Sequence, residues 1–131
     1  MNTTIKWLED KNFKGTTKDE EKILISPTKN LDGYISPPDL LLMSLGSCTG
    51  LFIMPAAKEL GISLNDFDIS VKGTKSNNPP KLFEKITITV TFFGHLTQEE
   101  AEEILEKSHQ RCFILHSLDP SITIENEISI K

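Results

Sequence analysis

The residues of this chain that are best suited to chemistry are two cysteines, Cys48 and Cys112. Cys48 stands within the small residues 46–50, which leave room beside its sulfur for a substrate, and its neighbours Ser47 and Thr49 are hydroxyl donors for a thiolate. A second, distant thiol is available in Cys112. Such a pair is the simplest arrangement for two-cysteine redox chemistry, in which one thiol is oxidised and the other resolves it. The alternative for Cys48 is a small apolar side chain in the core.

The segment around Cys112 carries further candidates. They are Arg111, which is the only arginine of the chain, and His109 and His116. An adjacent cation lowers the pKa of a thiol, so Arg111 is a candidate supporting residue. If the segment is helical, His109, Cys112 and His116 share one face. That pattern leaves open a zinc site with Cys48 or Asp119 as the fourth ligand, although histidines at a helix end are more often solvated.

A single long helix is predicted to carry the first cysteine. Ser36 is a favourable N-cap, Pro37 suits the first helical position, and Asp39 stands three residues after the cap, as in a capping box. We expect the helix to run from Pro37 to about Leu60, with Gly61 as its stop. Asp39 has two possible roles: it caps the helix and complements its dipole, or it orients a group of the active site.

This helix also predicts an assembly. Residues 40–57 carry no charge and reach the lower limit of a membrane span, but their serines, glycines and proline argue against one. A helix that is apolar on all sides is instead deeply buried. At roughly 36 Å it would span the whole domain, and one small sheet covers only one side. We therefore expect an obligate homodimer. Gly46 and Gly50 would let two such helices approach closely, or they are ordinary helix glycines.

Hydrophobic periodicity predicts the remaining elements. Alternating residues indicate strands at 4–8, 12–17, 22–26, 66–75 and 83–93 and at the C-terminus, while Thr97 and Glu100 form a capping box that starts a second helix ending near 108–111. The resulting order is β-β-β-α-β-β-α-β, an α+β fold in a single domain of residues 1–131.

Composition excludes several classes of function. The net charge is −5 and the basic residues are scattered, which argues against nucleic acid as a partner. The N-terminus lacks a signal-peptide core, and two cysteines do not make a secreted disulfide scaffold, so a reducing cytoplasm is expected. The sequence contains no phosphate-binding glycine motif, no H-E-x-x-H and no C-x-x-C. We therefore expect neither a cofactor nor a metal ion.

Residues 36–50, which read SPPDLLLMSLGSCTG, resemble the cysteine-bearing helix of the OsmC/Ohr family of osmotically induced and organic-hydroperoxide-resistance proteins. Lys81-Leu82-Phe83-Glu84-Lys85-Ile86 is similar to a strand start of the OsmC-like branch, and residues 97–100 and 108–112 match the helix that leads to the second family cysteine. The resemblance covers nearly the whole chain in order.

The resemblance implies an intertwined homodimer with a long buried central helix and two active sites at the subunit interface. It also implies a thiol peroxidase that prefers organic hydroperoxides, with Cys48 peroxidatic, Cys112 resolving and an external dithiol as reductant. Asp39 stands near the position of a family glutamate. No arginine precedes residue 111, so Lys11 or Lys14 would replace a family arginine, without its bidentate fork.

Two classes of function compete with a peroxidase on the same fold. They are a non-enzymatic thiol redox sensor and a dimer that binds a ligand or a metal. An apolar wall would favour organic peroxides over hydrogen peroxide; its expected members are Leu41, Leu45, Leu51, Phe52 and Phe113.

Overall fold

The computed structural model describes residues 1–28 and 31–131. The described chain forms two compact units, residues 1–41 and 42–131. The elements are β1 (Thr3–Glu9), β2 (Asn12–Thr17), β3 (Lys22–Ile25), β4 (Tyr34–Ile35), α1 (Pro37–Glu59), β5 (Asp66–Lys75), β6 (Phe83–Phe93), α2 (Gln98–Arg111), α3 (Phe113–His116) and β7 (Thr123–Ile130). The α+β class is confirmed, and the single-domain expectation stays a prediction. Sequence analysis missed β4 and α3, because two and four residues are too few to show a period.

The first unit is a four-stranded sheet in the order β1-β2-β3-β4. The first three strands pair antiparallel, and β4 pairs parallel to β3. Gly15 lies at the centre of β2, where a Cβ would lie 3.2 Å from Ile23 Cγ2 and 3.3 Å from Ile25 Cδ1. The lack of a side chain there lets the isoleucines of β3 pack across the strand. All seven residues of β1 are exposed.

The second unit contains a three-stranded sheet in the order β5-β6-β7. The central strand β6 pairs antiparallel with β5 and parallel with β7. A parallel pair requires a crossover connection, and α2 lies in that connection. Its predicted capping box is confirmed, since Thr97 Oγ1 accepts from the Glu100 N–H at 3.1 Å and Glu100 Oε1 accepts from the Thr97 N–H at 2.9 Å. Alternate residues of β6 form the centre of the core: Ile86, Ile88, Val90 and Phe92.

The long helix α1 runs from Pro37 to Glu59, as the capping signals predict. In the second unit, one side of α1 is fully buried, at Leu45, Thr49, Ile53 and Ala56. The opposite side exposes Met43, Leu51 and Met54. By length and composition alone, α1 could span a membrane. In its most apolar stretch of 18 residues, 39% of the residues are buried. Within the single chain the sheet covers one side of α1, as expected, and the second layer that would cover the outer side stays a prediction.

The two glycines of α1 face the sheet rather than the outer side of the helix. A Cβ at Gly46 would lie 2.9 Å from Val71 Cγ2, and one at Gly50 would lie 3.3 Å from Ile69 Cδ1. Both neighbours belong to β5 of the same chain. The hypothesis that these glycines bring two copies of the helix together is therefore wrong, because they set the distance between α1 and its own sheet.

Candidate active site

Cys48 lies on α1, adjacent to the buried side of the helix. Its side chain is half-buried and packs at the edge of the core cluster. The next residue, Thr49, is fully buried and donates its hydroxyl to the Leu45 carbonyl at 3.1 Å. Ser47 is exposed, and its hydroxyl donates to the Met43 carbonyl at 2.8 Å. Of the two predicted hydroxyl donors, only Thr49 therefore points into the interior.

Cys112 occupies the junction between α2 and α3. It is in an extended conformation, with φ −75° and ψ 104°, and its N–H donates to the His109 carbonyl at 3.3 Å. The residue is fully buried. Its sulfur caps α3 by accepting a hydrogen bond from the Leu115 N–H at 3.4 Å. The break between the two helices thus turns the thiol inward.

The fold brings the two cysteines together. Both are free thiols, and the Cys48 thiol and the Thr49 hydroxyl lie close enough to Cys112 to influence its pKa. Burial is the main cause that raises the pKa of Cys112, and the neighbouring Cys48 raises it further. The Leu115 N–H and the Thr49 hydroxyl oppose this rise in pKa. Chemically, the arrangement is an interior thiol with a raised pKa near a more accessible thiol.

The predicted effect of Arg111 on Cys112 is wrong. The Arg111 guanidinium points to the end of α1, where Nη2 lies 2.7 Å from Glu59 Oε2. The hydrogen bond from Arg111 is the main cause that lowers the pKa of Glu59. The pKa of Cys112 is raised rather than lowered, because burial outweighs every opposing influence. Sequence reasoning missed Glu59, since an ordinary helix-end glutamate carries no local signal for a partner 52 residues away.

Asp39 lies in the first unit and is bonded as a helix cap. Its N–H donates to Ser36 Oγ at 3.2 Å, and the Ser36 hydroxyl donates to Asp39 Oδ2 at 2.8 Å. This differs from a strict capping box, in which the carboxylate would accept from the N-cap backbone. The contacts therefore account for Asp39 as a capping residue, and a role in catalysis stays a prediction.

The histidines do not join Cys112 on one helical face. Since α2 ends at Arg111 and Cys112 is extended, the alignment of His109, Cys112 and His116 that the zinc hypothesis needs is not formed. Within residues 1–28 and 31–131, no group of three or more histidine, cysteine or acidic side chains is placed to hold a metal ion. His109 instead lines two grooves beside β7, each of about 360 Å³. Its buried Nε2 has no hydrogen-bond partner among the described residues.

Comparison with known proteins identifies the family. The profile described as OsmC-like protein matches residues 30–127, about three-quarters of the chain, and the chain therefore belongs to the OsmC-like family. No curated protein sequence gives a significant match. The expected family resemblance is thus confirmed.

Solved structures share the fold over essentially the whole chain. A hypothetical protein from Aquifex aeolicus VF5 is 24% identical, with a TM-score of 0.83 over 99% of this chain and 95% of its own. An organic hydroperoxide resistance protein OsmC from Legionella pneumophila is 22% identical, with a TM-score of 0.79 and coverages of 98% and 97%. The organic hydroperoxide resistance protein OhrB of Bacillus subtilis is 17% identical, with a TM-score of 0.72 and coverages of 99% and 96%. These likenesses establish the fold.

Proposed function

We propose that this protein is a thiol-dependent peroxidase that reduces organic hydroperoxides through Cys48 and Cys112. The observation that carries the proposal is that the fold brings two free thiols, one half-buried and one fully buried, close enough for Cys48 to raise the pKa of Cys112. Membership of the OsmC-like family and a fold shared with proteins named for organic hydroperoxide resistance support a peroxide-related redox role.

In the proposed reaction, the Cys48 thiolate attacks the distal oxygen of the hydroperoxide. The O–O bond breaks, the alkoxide takes up a proton and leaves as an alcohol, and Cys48 becomes a sulfenic acid. The Cys112 thiol then condenses with this sulfenic acid, which forms the Cys48–Cys112 disulfide and releases water. An external dithiol reduces the disulfide by thiol–disulfide exchange and is itself oxidised.

The assignment of roles follows from burial and charge. Cys48 is the more exposed sulfur and so the one that a substrate reaches first. Burial, and after it the neighbouring Cys48, raise the pKa of Cys112, which suits a thiol that waits for the sulfenic acid rather than reacting with peroxide itself. Leu45 is fully buried in the core, so it cannot line an open substrate pocket. The members of the expected wall that are exposed in the single chain are Leu41, Leu51 and Phe113.

The proposed assembly is a homodimer in which a second copy covers the outer side of α1. Met43, Leu51 and Met54 are 57%, 70% and 45% exposed, and their spacing of eight and three residues places them on one helical face. An apolar row of this kind is costly in water and favours an apolar partner surface. A cytoplasmic location is part of the proposal, since two unpaired thiols suit a reducing compartment.

The test is the intact mass of the reduced protein after one equivalent of cumene hydroperoxide, followed by peptide mapping. We expect a loss of two hydrogens and a peptide that links Cys48 to Cys112. Cys48→Ser should abolish turnover with a dithiol, whereas Cys112→Ser should permit one oxidation event and block recycling. Turnover that persists in the Cys48→Ser variant would contradict the mechanism. Stoichiometric oxidation without dithiol-driven turnover in the wild type would identify a redox sensor instead.

A further inference from the structure

One exposed ion pair joins the ends of the two main helices. Arg111 is the last residue of α2 and Glu59 is the last residue of α1, and their side chains meet at 2.7 Å. Among the described residues there is one other ion pair, Lys85 with Glu125 at 3.3 Å, and it joins two neighbouring strands of the sheet. Of the two described ion pairs, Arg111–Glu59 is thus the one that connects α1 to the residue before Cys112.

The geometry places this pair next to Cys112 along the chain and three helical turns from Cys48. Cys112 follows Arg111 directly, so their Cα atoms are about 3.8 Å apart. On α1, Cys48 and Glu59 are eleven residues apart, which corresponds to three turns, roughly 16 Å of rise and about 20° of rotation. The two residues therefore share one face of α1. The segment 111–112 thus approaches α1 at two points: the Cys112 thiol lies near Cys48, and Arg111 is bonded to Glu59.

Cys112 is fully buried and its carbonyl accepts from the His116 N–H at 3.3 Å, so the ion pair adds to the packing that fixes the segment where the chain leaves α2. The residue is extended, and a single backbone hydrogen bond, to the His109 carbonyl at 3.3 Å, continues the helix to it. Glu59 lies at the negative end of the α1 dipole, where a carboxylate is unfavourable until a cation approaches. Arg111 supplies this cation, and its hydrogen bond accordingly lowers the pKa of Glu59.

We propose that Arg111 and Glu59 are positioning residues that hold the Cys112 thiol against Cys48 and so raise the effective concentration of one thiol at the other. The inference deepens the proposed function, since it concerns the same pair of thiols. When the segment moves away from α1, the ion pair breaks and the two thiols separate. Removing either charge therefore leaves the two sulfurs apart for more of the time.

The equilibrium of the disulfide with glutathione measures this effect without any hydroperoxide. In this exchange, two protein thiols and one oxidised glutathione give the Cys48–Cys112 disulfide and two reduced glutathione molecules, so electrons and protons balance. The equilibrium constant has units of concentration and reports how well the fold presents the thiols to each other. An exposed ion pair that is present in only one of two states shifts the equilibrium constant between them by roughly 1.4- to 5-fold.

We expect Arg111→Gln and Glu59→Gln each to lower the equilibrium constant about two- to fivefold at low ionic strength. The difference from the wild type should shrink in about 1 M salt, where charges are screened within about 3 Å. Arg111→Lys should restore part of the loss, because it keeps the charge and loses the fork. Lys85→Gln is the matched control, since it removes the other described ion pair and should leave the constant unchanged.

An Arg111→Gln variant with the same constant as Lys85→Gln would overturn the inference, as would a wild type that forms no Cys48–Cys112 disulfide in excess oxidised glutathione. Failure of the proposed function has a different signature. In that case cumene hydroperoxide leaves the reduced protein unchanged, while glutathione still forms the disulfide and the variants still differ.

Discussion

The distance between α1 and β5 gives the sharpest structural prediction, and it concerns Gly46. An alanine Cβ at this position would lie 2.9 Å from Val71 Cγ2, well inside the 3.5–4.0 Å at which carbon atoms attract each other. Val71 is β-branched, so it has few alternative rotamers with which to give way. Overpacking of this kind costs about 1–3 kcal/mol, whereas the better helix propensity of alanine returns about 1 kcal/mol. We expect Gly46→Ala to lower the free energy of unfolding by about 1 kcal/mol.

Gly50→Ala is the matched control on the same helix. Its Cβ would meet Ile69 Cδ1 at 3.3 Å, which is the end of a flexible side chain, and Phe67 Cε2 at 3.5 Å. With little overpacking, the gain in helix propensity should dominate and stabilise the protein by up to about 1 kcal/mol. The two substitutions are chemically identical, and the structure predicts opposite signs for them.

Urea unfolding at one fixed protein concentration measures both variants, and the fixed concentration removes any contribution from association. Val71→Ala makes room for the new methyl group. When Val71 is already alanine, Gly46→Ala should therefore no longer lower the free energy of unfolding. A double-mutant cycle over these two positions should show a coupling of about 1–2 kcal/mol. If Gly46→Ala stabilises as much as Gly50→Ala, or if the cycle shows no coupling, the close approach to β5 is refuted.

Two further predictions concern titratable groups. Thr49→Val removes the hydroxyl that opposes the effect of burial on Cys112, so the pKa of the Cys112 thiol should rise further. The pH dependence of iodoacetamide alkylation at Cys112 measures this rise, and an unchanged profile would show that the hydroxyl does not influence the thiol. Burial is the main cause that lowers the pKa of His109, and His116 lowers it further. Since the unfolded chain then binds the proton more readily than the folded one, the free energy of unfolding should fall as the pH drops below about 6.5. His109→Gln should reduce that fall between pH 7.5 and 5.5 in urea titrations, and an equal fall in both proteins would contradict the assignment.

Sequence periodicity and capping signals determined most of the secondary structure. Ser36, Pro37 and Gly61 mark the ends of α1 because helix termini need local partners for their free N–H and C=O groups, and these partners are read from neighbouring residues. The alternation along β6 predicts its buried side for a similar reason, since side chains of a strand alternate between its faces. The two cysteines stand out by residue type alone as the reactive candidates.

Only the tertiary structure decided which side chains meet. Cys48 and Cys112, like Glu59 and Arg111, are brought together by the packing of elements far apart in the sequence, and no local pattern records such a contact. The same holds for Gly46, whose role depends on the position of Val71 on the neighbouring strand β5. Arg111 shows the difference most clearly. Its place beside Cys112 in the sequence predicted a lower thiol pKa, but the fold directs its charge to Glu59, and burial sets the pKa of the thiol.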